Sequence, residues 1–90
     1  MYSRAKYVVG KIRSDYSEQL VAVIIPETIN HKDIKSVFIP GSIRSAGFCS
    51  CGASDKVHVY GKSTSLNVEC NPVLDELLVG RAMAHPIYET

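Results

Sequence analysis

The sequence predicts an α+β domain: a mainly antiparallel four-stranded sheet made of two hairpins, a short central helix between them, and a C-terminal helix on one face. Three observations point there. Runs of strand-forming residues occur at 7–12, 19–25 and 57–60, and 43–50 mixes apolar with small residues. Short polar segments separate them in pairs, and an apolar pattern spaced at three and four residues follows Asn71-Pro72. Ninety residues suit one core, so 1–90 is expected to be a single domain, with 85–90 a loose tail.

The first strand starts at Tyr7-Val8-Val9 and closes at the polar Arg13-Ser14-Asp15. The second, residues 19–25, is almost wholly apolar and ends at Pro26, which predicts a strand covered on both faces, central or capped by a partner subunit. Few residues separate the two, so they form an antiparallel hairpin. Asn30 is placed to cap a short helix carrying Asp33, Ile34, Val37 and Phe38, stopped by Pro40-Gly41. Residues 43–50 form a third strand, in which Gly47 marks a bulge or a close backbone approach. After the turn residues 52–56, Val57-His58-Val59-Tyr60 completes a second hairpin. Residues 61–65 are polar and read as a loop or a frayed end of the fourth strand. Asn71-Pro72 then opens a helix with Asp75 and Glu76 near its positive end and Val73, Leu74, Leu77, Leu78 and Ala82 along an apolar stripe, to about Ala84.

Composition narrows the function classes. Ten Lys and Arg against nine Asp and Glu leave a formal charge of +1, so bulk electrostatics disfavour nucleic acid as a partner. No apolar run approaches the length of a membrane span, the N-terminus opens no secretory segment, and three cysteines suit reduced thiols, which together predict a cytoplasmic protein. Cys49-x-Cys51 with Cys70, His31 and His58 holds zinc-type ligands, but C-x-C lacks the tight turn of a zinc knuckle, so no metal is expected. No signature of a nucleophilic cysteine surrounds any of the three, no catalytic residue is assigned, and a non-enzymatic protein without cofactor is expected. Gly61-Lys62-Ser63 echoes the end of a phosphate-binding loop, yet Lys56 stands where the loop needs its first glycine. A looser anion contact through Arg44, Lys62, Ser63 and Ser65 remains. The five tyrosines show no interleaving with basic residues along the chain and are read as packing residues. The apolar second strand makes a homo-oligomer the expected state.

Ser45-Ala46-Gly47-Phe48-Cys49, then Tyr60-Gly61-Lys62-Ser63-Thr64-Ser65-Leu66, then Asp75-Glu76-Leu77-Leu78, in this order, resemble segments of small uncharacterised proteins encoded by bacteriophages and prophages. The likeness spans roughly residues 7–78; the Cys-rich 49–54 and the ending 80–90 depart from it. The resemblance implies an accessory phage protein made in the host cytoplasm. It leads to a binding protein that interferes with host antiviral defence, by masking a host protein or by sequestering a small phosphorylated nucleotide signal between subunits. The ligand surface in the second case is His31, Arg44, Gly61, Lys62, Ser63 and Ser65. The alternative is a structural, assembly or regulatory adaptor with neither ligand nor catalysis.

Overall fold

The computed structural model describes residues 3–15, 17–51 and 57–84. Strands β1 (Ser3–Arg13), β2 (Glu18–Ile25), β3 (Ser45–Cys51) and β4 (Val57–Tyr60) form one antiparallel sheet in the order β2-β1-β3-β4. The first hairpin pairs Arg13 with Glu18 and runs without a bulge to Lys6 opposite Ile25. Its turn is tied by the Ser14 amide and hydroxyl, both donating to the Ser17 carbonyl. The second hairpin pairs Cys51 with Val57. The turn residues 52–56 and the tail 85–90 lie outside the described residues.

Alternation along the strands separates two cores. Tyr7, Val9, Ala22, Cys49 and Val59 face the C-terminal helix α1 (Pro72–Ala84), which contributes Leu78 and Val79. On the other face, Val8 and Ala46 meet Phe38, with Ile34, Ile43, Leu66 and Val68 around them. Both faces of the sheet are therefore covered over its middle. Among the described residues, no helix is long and apolar enough to cross a membrane.

Four local expectations are corrected. The apolar β2 is not central: it stands at the edge of the sheet, next to β1 alone among the described strands. Its continuous apolar pattern reports two covered faces, α1 on one and the Phe38 cluster on the other, rather than a central place in the sheet. The central helix is a 3-10 turn, His31–Val37, and Asn30 makes no side-chain cap. Residues 61–65 are only in part a loop: Lys62–Ser63 (β5) pairs with Val68–Glu69 (β6) in a second small sheet, and Thr64 and Ser65 begin the turn between them. On α1, Val73 and Leu77 are 79% and 66% exposed, because the helix turns Leu74, Asp75, Leu78 and Val79 toward the sheet. Gly47 does mark a close approach: a Cβ there would lie 2.5 Å from the Tyr60 carbonyl oxygen.

Candidate functional site

Directly paired residues of neighbouring strands share a sheet face. Lys6 of β1 pairs with Phe48 of β3, and Phe48 with Tyr60 of β4, so the three form a row on the face away from α1. Arg4, Ser50 and His58 form the next row. Within this patch the Phe48 and Tyr60 rings stack, with centroids 5.9 Å apart and planes inclined by 20°. The Arg4 guanidinium lies 4.7 Å from the centre of the Phe48 ring. At that distance a cation is attracted to the negative face of the ring. Its Nε also donates to Glu27 Oε1 at 2.8 Å, which fixes its orientation. Lys6 Nζ donates to the Ile29 carbonyl at 3.0 Å. Tyr60 is 40% exposed, so an aromatic surface stands open beside these cations.

Two residues singled out in the sequence support this platform from behind. His31 is buried, with Nε2 2.8 Å from the Gly47 carbonyl oxygen; a carbonyl only accepts, so Nε2 carries the proton. The imidazole meets Phe48 edge-on at 5.9 Å and 77°. Gly61 adopts φ +79°, and a Cβ there would come within 3.0 Å of the Phe48 ring. Glycine is thus needed twice over, for the left-handed turn after β4 and for the room that Phe48 occupies.

The other four candidates lie elsewhere. Lys62 is exposed on β5 opposite Glu69. Ser63 is buried, and its hydroxyl accepts the Leu66 amide at 3.2 Å and lies 3.3 Å from the Ser65 hydroxyl, which makes it the tie of the β5–β6 turn. Arg44 lines a cleft of about 490 Å³ with Lys11, Ser42 and Leu20. Ser65 lines a neighbouring cleft of about 260 Å³ with Lys35 and Leu66. Residues 39–41 form a wall common to the two. The six residues thus divide between the back of the aromatic platform, the small hairpin and two clefts, rather than one pocket.

Under α1 the chemistry is different. The Asp75 carboxylate is fully buried and accepts three hydrogen bonds: from the Tyr7 hydroxyl at 2.5 Å, the Ser45 hydroxyl at 2.7 Å and the Asn71 amide at 2.8 Å. Burial, then the hydrogen bond to Asp75 and its charge, push the Tyr7 phenol far above its ordinary range. The Cys70 thiol is also pushed up, first by burial and then by Asp75, which disfavours the thiolate that nucleophilic chemistry requires. Among the described residues, no buried side-chain nitrogen or oxygen lacks a partner, and no three His, Cys, Asp or Glu side chains gather as a metal site. This cluster fastens the first turn of α1 to β1 and β3.

Sequence reading missed Arg4, Phe48 and Tyr60 as a unit. They lie on three strands, and only the cross-strand register brings them together. A search for aromatic and basic residues of matching parity on successive strands is the signal that finds them. Comparison with protein-family models, curated proteins and solved structures finds no match.

Proposed function

We propose that this protein binds a small phosphorylated nucleotide and takes it out of circulation, as an accessory phage protein that blunts a defence signal in the host cytoplasm. The observation that carries the reading is the exposed Tyr60 ring stacked on Phe48, with Arg4 over the same aromatic system. A nucleobase stacked on such a ring gains about 1 to 3 kcal/mol, and every base offers a π-face. Arg4 and Lys6 supply cations beside the platform for a phosphate. A net charge of +1 weighs against a long polyanion and in favour of a ligand held by a few placed groups.

Calorimetric titration with a panel of mononucleotides and cyclic nucleotides tests this. Binding is expected for at least one, and Tyr60→Ala is expected to weaken it about tenfold or more, the loss of one stacking contact. Equal affinity of wild type and variant, no binding across the panel, or binding confined to long oligonucleotides would each overturn the reading.

A second reading, an adaptor without ligand, is favoured by the outer stripe of α1, where Val73 and Leu77 are open to solvent. It calls for a protein partner on that helix. Recovery of a phage structural or replication protein from infected cells, lost on Leu77→Lys, supports it.

A further inference from the structure

We infer that the open edge of β2 pairs with β2 of a second copy of this chain, antiparallel, joining two four-stranded sheets into one of eight strands. The inference is independent of the nucleotide reading. It starts from the backbone. β2 is eight residues long, its register with β1 is regular from Glu18 to Ile25, and among the described residues nothing pairs with its outer side. Every second residue therefore turns both its N–H and its C=O outward, a ready template for another strand.

Edge strands usually carry devices against such pairing: an internal proline, a lysine, a bulge or very short length. The other edge, β4, has only four residues, and the chain leaves it through the left-handed Gly61. β2 has none of these devices. Between Gln19 and Ile25 it has neither charge nor proline.

The strand also fits itself. Leu20, Ala22 and Ile24 lie on the α1 face and Val21, Val23 and Ile25 on the other. A two-fold axis normal to the sheet preserves the faces, so both apolar rows continue across the junction. Centred on Val21, the pairing sets Glu18, the one charged residue of the strand, opposite Ile24 of the partner subunit, and like charges never meet. An identical strand thus supplies matching length, polarity pattern and charge, which an arbitrary partner would not.

Sedimentation velocity over a micromolar concentration series, with wild type, Val21→Pro and Ala22→Pro, tests the assignment. Adjacent residues turn their N–H groups to opposite edges, so one proline removes a bond to β1 while the other removes only an outward donor. Wild type is expected to dimerise. The variant that loses the outward donor is expected to keep its fold by circular dichroism and sediment as a monomer. A monomeric wild type, or a folded variant that lacks the outward donor and still dimerises, overturns the inference. Amide exchange of wild type decides the case even if neither variant folds. Protection at all consecutive β2 amides supports edge pairing, and fast exchange at every second one refutes it.

Discussion

Under α1, the Asp75 carboxylate is enclosed and, among the described residues, every buried side-chain nitrogen and oxygen has a partner; on the opposite face of the same strands, Arg4, Phe48 and Tyr60 meet with part of their surface open. Tyr7 and Lys6 are sequence neighbours on β1, and alternation sends one to each region. The first region is closed because α1 caps it and its hydrogen bonds join elements far apart in the chain: β1, β3 and the helix N-terminus. Such a site holds the fold and offers nothing to a ligand. The second is built from groups whose attraction persists in contact with water, a stacked ring pair and a cation over its face, so it can stay open and keep its geometry. The difference predicts that substitutions separate cleanly: large stability losses on one face, small ones on the other.

The largest effect is expected from Asp75→Ala. It removes one acceptor group and strands the Tyr7 and Ser45 hydroxyls in a buried site. Unsatisfied buried donors cost about 1 to 3 kcal/mol each, so a loss of about 3 kcal/mol or more is expected. That is a large share of the roughly 5 to 13 kcal/mol available to a chain of this size. Urea denaturation measures it. A loss below about 1 kcal/mol would mean that water replaces the carboxylate and that the region is not closed.

Alkaline titration is expected to have the next effect. The Tyr7 phenol is held protonated in the native state far above the ordinary value, whereas in the unfolded chain it ionises near pH 10. Its contribution to stability is therefore complete below about pH 10 and is lost as pH rises from there toward the native value, at about 1.4 kcal/mol per pH unit. Tyr7→Phe lacks this titration. The stability advantage of wild type over Tyr7→Phe is thus expected to shrink steadily above about pH 10, and a constant difference would show that the phenol is not shielded.

These contrasts mark what could be read in the chain. The strands and the helix from Pro72 were legible because alternation and three-and-four spacing are local patterns, and Gly47 was legible because a glycine amid strand formers has few other uses. The edge position of β2 was not, since an apolar run is the same whether a strand lies in the middle or at the side of a covered sheet. Asp75 was placed at the positive end of α1, but its burial depends on Tyr7 and Ser45, which are 68 and 30 residues away in sequence. For the same reason the tyrosines, scanned along the chain, hid the platform that Tyr60 forms with Phe48 and Arg4.

The smallest effect on stability is expected from Tyr60→Ala, and it sharpens the comparison most. Tyr60 lies on the four-residue edge strand β4, 40% exposed, with Phe48 as its stacking partner. Such a pair contributes about 0.5 to 1.5 kcal/mol beyond the area it buries, and a residue already two-fifths open has less burial to lose than an enclosed one. An unfolding free energy lowered by about 1 kcal/mol, together with a tenfold or greater loss of nucleotide affinity, is the expected pattern. A stability loss rivalling that of Asp75→Ala would instead make the Phe48–Tyr60 stack part of the core. The two faces would then differ only in which side chains they bury, and the platform would lose its claim to be a surface held ready for a ligand.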